Sequence, residues 1–386
     1  MPTSSGAPLA PRRITRFFVS LGTEEGGGAF EPVSSRFAST IWSMRSLTLA
    51  RAAGAGLLLA VIALSVLYLV PSDKYYVFLP DRAHPLEPLV RIAGEQPVPQ
   101  EGGVYFVDVR FRKAHLLEDL LGRPLARGAT LLPARAVLGD ATPKQAQHID
   151  ITQMENSQKI AAAVALKRLG YHVSIRLPEV VVRGVLRKAP ADRVLRPGDK
   201  LLAVNGQQVH SLGRLHMLIA SRRPGKSISI TYSHSGRVAT STIRTIASPD
   251  DKRQAAIGIL VDEIGGSVGK LPIKVRINTQ GVGGPSAGLA FALDLMEELG
   301  RNVDHGYKVA ATGELDLDGS VLAIGAAKQK TIGAREAGVD VFLVPAGSNT
   351  RVARKYAQGL RIIPVQSFPQ ALHALATLPA KHPGKA

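Results

Sequence analysis

Apolar positions along this chain follow three patterns: one unbroken run, several short alternating stretches, and stripes at helical spacing. The unbroken run is Ala52 to Val70, 19 residues without a charge. That is close to the roughly 20 residues a helix needs to cross a bilayer. Arg45 and Arg51 precede it, and Pro71, Ser72 and Asp73 follow. The positive-inside rule then keeps the N-terminus in the cytoplasm and exports what comes after. The run exceeds a signal-peptide core, and no A-x-A cleavage site follows it, so we expect an uncleaved anchor over 44–71. Residues 1–43, rich in Gly, Ser, Pro and Arg, are expected to be a disordered cytoplasmic tail, with Met44 as the true translation start.

The rest of the chain alternates between strand and helix signals. Val104 to Val109 predicts a strand after Gly102-Gly103, and Leu116 to Leu121 a short helix. A longer helix is predicted over 152–169, with Ala161, Ala165 and Leu169 on one row and Gly170 as its stop. Residues 172–247 read as a β-rich module with strands at 180–185, 200–204 and 227–232 and a helix at 211–221. Its turns are Pro197-Gly198-Asp199 and Val204-Asn205-Gly206. After a second α/β segment, a strand at 361–365 and a helix at 367–378 precede a basic tail, 379–386. The fold class is α+β.

Charge changes this picture in one place. The net charge is +18, and residues 176–253 alone hold 15 basic and 5 acidic residues. Tyr232 is the single Phe, Tyr or Trp there, so base-stacking platforms are missing and nucleic acid is not an expected partner. An acidic peptide or lipid surface suits the module better. With no cysteine, disulfides, thiol nucleophiles and Cys-based zinc sites are excluded. No H-E-x-x-H occurs and the ten histidines show no ligand spacing, so no metal or cofactor is expected.

The sharpest chemical feature is Thr279-Gln280-Gly281-Val282-Gly283-Gly284-Pro285-Ser286-Ala287-Gly288, followed by an amphipathic stretch ending at Gly300. Ser286 is thereby placed at a helix start, where unpaired N–H groups can hold an oxyanion or a phosphate. A phosphate loop needs G-x-x-x-x-G-K-[ST], which this sequence does not contain. A serine nucleophile needs a base, and a lysine kept neutral by burial can serve. Downstream we expect a hairpin, 309–314 and 320–324 about an Asp318-Gly319 turn, then a helix opened by Gly325. On that helix Ala326 and Ala334 flank Lys330, while Ile324 and Ile332 flank Lys328. Spacing alone does not choose between the two lysines. Glu314, Asp316 and Asp318 are expected at turns and on the surface.

Two resemblances complete the reading. The small-residue stretch Ala189-Pro190-Ala191 followed by Leu195-x-Pro197-Gly198-Asp199 and Val204-Asn205-Gly206 resembles a bacterial PDZ domain, which implies capture of an extended peptide by strand addition. G-P-S-A-G, then T-G-E, D-G-x-V-x-x-I-G-x-x-x-x-K, A-G-V and F-L-V-P, over roughly Ile257 to Val344, resembles the proteolytic domain of Lon peptidases. The second resemblance implies Ser286 as nucleophile and Lys330, five residues beyond Gly325, as general base. It also implies Thr312 beside the lysine and an oxyanion hole from the backbone of Ser286 and its neighbours Gly283 and Gly284. Some Lon enzymes carry an acidic residue where Gly283 stands. The order of modules resembles the bacterial membrane-anchored PDZ–Lon family. We therefore expect an exported segment at 72–171, a PDZ-like domain at 172–247 and a Lon-like proteolytic domain at 248–378. The expected activity is ATP-independent endoproteolysis of flexible or unfolded protein by a homo-oligomer, a hexameric ring being the family's common form. The alternative from another class is a catalytically silent peptide-binding scaffold or chaperone at the membrane.

Overall fold

A computed structural model describes residues 35–92, 102–248, 252–279, 281–379 and 381. Helix α1 spans Ser35–Leu69, and its segment Arg51–Leu69 has a mean hydropathy of 2.3 and is exposed along its length. At 1.5 Å per residue that segment reaches about 28 Å, enough for a bilayer core. Residues 35–43, expected in a disordered tail, instead form the first turns of α1, because no Gly or Pro interrupts the chain before Gly54. The rest of the expected tail, 1–34, lies outside the described residues, as do residue 380 and 382–386 of the basic tail.

Strand β1 (Pro71–Pro80) starts the remainder of the chain, followed by β2 (His84–Pro85), β3 (Gly103–Phe106), β4 (Val109–His115), α2 (Leu116–Leu121) and β5 (Thr130–Pro133). The stretch read as one strand, 104–109, is two, broken at Val107-Asp108. β1 is the middle of an antiparallel sheet ordered β4-β1-β5. Helix α3 (Pro143–Arg168) begins well before the expected position. Thr142 and Gln145 form a capping box around Pro143, so a polar first half with little apolar periodicity is helical all the same.

Next come β6 (Glu179–Val185), β7 (Lys200–Val204), α4 (Leu212–Ala220), β8 (Ser227–His234), β9 (Arg237–Arg244) and β10 (Ile259–Ile264). They form an antiparallel sheet ordered β9-β8-β7-β6-β10. Its core packs Val180, Val182, Leu201, Ile228 and Ile230 against Leu215, Leu218 and Ile219 of α4. β10 follows the expected end of this module, yet it pairs with β6 from Ile259↔Val185 to Ile264↔Glu179.

The final stretch holds α5 (Gly288–Glu298), β11 (Lys308–Ala311), β12 (Glu314–Leu315), β13 (Val321–Leu322), α6 (Ala327–Glu336), β14 (Val341–Pro345), α7 (Ser348–Tyr356), β15 (Arg361–Val365) and α8 (Phe368–Ala376). A five-stranded sheet runs β2-β3-β11-β14-β15, and β3, β11, β14 and β15 are mutually parallel. Every residue of β14 is buried, as a strand covered on both faces requires. β3 lies directly beside β11, Val104 opposite Val309, and α3 buries Ala161–Leu166 in the same core as α5. The segment 72–171 is thus no separate module: it shares one sheet and one core with the residues after 270, and the β-rich module is inserted between them. The expected long hairpin also contracts. β11 joins the parallel sheet, and only Glu314-Leu315 pairs with Val321-Leu322.

Candidate active site

The segment before α5 is seated on α3. Gly284 has a φ of 90° and donates its N–H to the Asp150 carbonyl at 2.8 Å. Ser157 Oγ donates to the Pro285 carbonyl at 3.0 Å. Gly288 lies where an added Cβ would come 2.9 Å from Ser157 Oγ and 3.0 Å from Leu315 Cβ. The glycines around Pro285-Ser286-Ala287 therefore permit a left-handed turn and a close approach, and Ser286 lands in a 3-10 turn opening α5. Gly283 also lies against Asp150, where a Cβ would sit 2.7 Å from the aspartate's own. The Gly284 N–H is engaged by α3 and does not point at a reacting atom. The donors that a helix start leaves without intrahelical partners are those of its first turn, Ser286 and Ala287.

Lys330 comes from the second turn of α6. That helix starts at Ala327, two residues after Gly325, because Ala326 takes a left-handed conformation with φ 55°. Lys330 is only 4% exposed, and its Nζ lies 2.5 Å from Ser286 Oγ and 3.3 Å from Thr312 Oγ1. Burial pushes its pKa down to about 8, with the Asp108 carboxylate acting in the opposite direction. Thr312 follows β11, is fully buried, and donates its N–H to the Leu343 carbonyl at 3.0 Å. Its hydroxyl donates to the Ser286 carbonyl at 3.2 Å, and the Gly313 N–H donates to the same oxygen at 2.9 Å. Ser286, Lys330 and Thr312 are thus brought together from three elements. Lys328 goes elsewhere: its Nζ donates to the Ala129 carbonyl at 2.8 Å and to Thr130 Oγ1 at 3.4 Å.

Sequence reasoning passed over Asp108. It sits just beyond β3, whose pairing with β11 ends at Phe106↔Ala311, so it follows that sheet edge as Thr312 does. Burial raises its pKa, His84 and Lys330 lower it, and Asp81 raises it. His84 Nε2 is 3.6 Å from Asp108 Oδ1, and Asp81 pairs with Arg110 at 3.1 Å. Among the described residues, the ligand atoms of Asp81, His84 and Asp108 all lie within 4.8 Å of one another, a grouping compatible with a metal ion. Spacing along the chain hides it, because Asp108 is 24 residues from His84 and only the sheet unites them. Asp316, expected on the surface, is 9% exposed and its pKa is raised, burial being the largest cause.

Two family models match parts of the chain. Residues 270–377 match the family described as Lon protease (S16) C-terminal proteolytic domain, and residues 153–245 match the PDZ domain. The chain is 27% identical over 225 residues to Lon protease 2 of Thermus thermophilus, covering 50% of this chain and 28% of that protein. It is 35% identical over 91 residues to the Lon protease of Mesomycoplasma hyopneumoniae, covering 22% of this chain and 10% of that one. The chain therefore spans less than a third of either relative's length. The solved PDZ domain of the SdrC-like protein from Listeria monocytogenes is 25% identical, covering 21% of this chain and 85% of that one, with a TM-score of 0.20. The chain combines a PDZ domain with a serine-peptidase domain of the Lon (S16) type, and Ser286 and Lys330 both lie inside the latter.

Proposed function

We propose that the protein is a membrane-anchored, ATP-independent serine endopeptidase working through a Ser286–Lys330 dyad. The observation that carries this reading is the 2.5 Å approach of Lys330 Nζ to Ser286 Oγ in a buried setting that lowers the lysine's pKa to about 8. At that pKa a useful fraction of the amine is neutral near neutral pH. Ser286 Oγ attacks the scissile carbonyl carbon while its proton passes to Lys330 Nζ. The oxyanion is received by backbone N–H groups at the start of α5, reinforced by the positive end of that helix. Collapse expels the amine, which takes the proton from Lys330 and leaves an acyl ester on Ser286. Lys330 then deprotonates the water that releases the acyl group. Thr312 keeps the Ser286 carbonyl and the lysine in register throughout.

In this reading the substrate is a flexible or unfolded chain, the form in which a scissile carbonyl can be laid against Ser286 without prior unfolding. The PDZ domain assists by adding an extended segment to its sheet; β10 is the edge strand beside α4. The apolar part of α1 anchors the molecule, with the N-terminus cytoplasmic and the catalytic part outside. Subunits assemble as a homo-oligomer, of which a hexameric ring is the form to look for by size measurement. The decisive test is cleavage of a labelled unstructured protein by the detergent-solubilised full chain, with and without Ser286→Ala. Loss of turnover by at least about 10³-fold is expected. Equal turnover by both would refute the dyad, and binding without cleavage by either would favour a scaffold.

A further inference from the structure

The inserted PDZ domain touches the proteolytic domain at the first turn of α4, and the contact is built from both sides. From the PDZ sheet, Glu263 on β10 reaches over to α4 and its Oε2 accepts the Leu212 N–H at 2.9 Å. Ser211 Oγ accepts the Arg214 N–H at 3.1 Å, completing the cap. From the proteolytic side, Leu322 of β13 lies so close to Gly213 that an added Cβ would fall 2.4 Å from its Cδ1. Asp316, in the turn joining β12 to β13, is buried with the Ser211 hydroxyl beside it. The root of the same hairpin holds the nucleophile. Gly313 donates its N–H to the Ser286 carbonyl at 2.9 Å and accepts the Leu289 N–H at 3.1 Å. An added Cβ at Gly313 would meet Val321 Cγ1 at 2.5 Å, so the hairpin and its root cannot shift independently.

We propose that Glu263 is a positioning residue for the proteolytic site, acting from within the PDZ domain. By fixing the first turn of α4 it seats the Glu314–Leu322 hairpin, and through Gly313 the hairpin holds Ser286 opposite Lys330. The PDZ domain is then part of the catalytic framework as well as a peptide receptor. This rests on Ser286 and Lys330 being nucleophile and base. The contact is charged on both sides: Glu263 faces Asp316, Glu314 lies near both, and Asp318 and His210 border Asp316. Glutamine at 263 keeps an acceptor for Leu212 and removes the repulsion, whereas alanine withdraws the acceptor.

The test uses the detergent-solubilised full chain, measuring casein cleavage and hydrogen exchange over 312–322. Glu263→Ala is expected to speed exchange of the hairpin amides roughly tenfold, the scale of losing a charge-assisted hydrogen bond. It should lower kcat about fivefold, separately from any change in KM that its place on the edge strand brings, because Glu263 seats the hairpin that holds Ser286. Glu263→Gln should restore both readings. Unchanged hairpin exchange in Glu263→Ala overturns the proposal, and so does faster exchange with unchanged kcat. If the alanine variant fails to fold, Glu263→Asp, whose shorter side chain withdraws the acceptor, is read the same way. A wild-type chain that leaves casein intact would remove the peptidase reading, and the exchange measurement would still decide whether Glu263 seats the hairpin.

Discussion

The two faces of α6 carry lysines two residues apart, about 200° around the helix from one another. On one face Lys330 is buried between Ala326 and Ala334 and meets the hydroxyls of Ser286 and Thr312. On the other, Lys328 spends its donors on the Ala129 carbonyl and Thr130 Oγ1, and its ammonium lies 5.6 Å from the centre of the Tyr356 ring. Gln329 reinforces that second face through Gly128 and Thr130. The same residue type thus does two jobs. Burial opposite hydroxyls makes an amine that gives up its proton; a backbone carbonyl beneath it makes a clamp between α6 and the segment leading into β5.

The largest effect should separate the two faces by activity. Lys330→Ala is expected to lower kcat by at least about 10³-fold, as Ser286→Ala does, and the double variant should be no worse than either. Lys328→Ala should keep kcat within about threefold. Comparable losses from both lysines, measured on one unstructured substrate, would erase the distinction.

Stability should separate them with opposite signs. A lysine whose folded pKa falls from 10.5 to about 8 penalises folding. That penalty is complete below pH 8, shrinks between 8 and 10.5, and is absent above, because the unfolded chain binds the extra proton. Its size is about 3 kcal/mol. Lys330→Met should therefore stabilise the inactive protein by up to that amount at pH 7 and by little above pH 10.5. Lys328→Met loses its hydrogen bonds and should destabilise by about 1 kcal/mol at pH 7. Denaturant titrations at the two pH values check both signs.

These contrasts also show which parts were legible along the chain. The placement of Ser286 at a helix start was, because the glycines that permit it, Gly284 and Gly288, lie beside it in sequence. The lysine was legible only through resemblance: Ile324 and Ile332 flank Lys328 as convincingly as Ala326 and Ala334 flank Lys330, and burial depends on what α6 packs against. The inserted arrangement of the PDZ domain was hidden, since the pairing of β3 with β11 joins residues about 200 positions apart. Asp108 was hidden for the same reason. The buried Asp316 was misjudged because an Asp-rich turn ordinarily faces solvent; here the first turn of α4 covers it.

A smaller effect lies in the pH profile. If neutral Lys330 is the base, kcat/KM should rise about tenfold per unit below pH 8 and level off above it. Lys328→Ala should leave the midpoint in place, since that lysine faces the other side of the helix. A profile that is flat between pH 6 and 9 would contradict a titrating amine in this role.

The smallest effect tests what surrounds the lysine's face. Asp108 opposes the downward push on Lys330, so its carboxylate favours the protonated amine. Removing the charge with Asp108→Asn, which keeps the shape, should move the midpoint of kcat/KM toward lower pH by a few tenths of a unit. The shift is modest because burial also raises the pKa of Asp108 itself, weakening the charge it presents. The plateau at high pH should stay near the wild-type value, since the amine is neutral there with or without Asp108. A midpoint displaced upward, or a plateau that collapses while the midpoint holds, would mean that Asp108 acts through the fold of β3 and not through its charge. Measured beside Lys328→Ala, the variant asks whether the chemistry of this face comes from local burial alone or also from a carboxylate supplied by a distant strand.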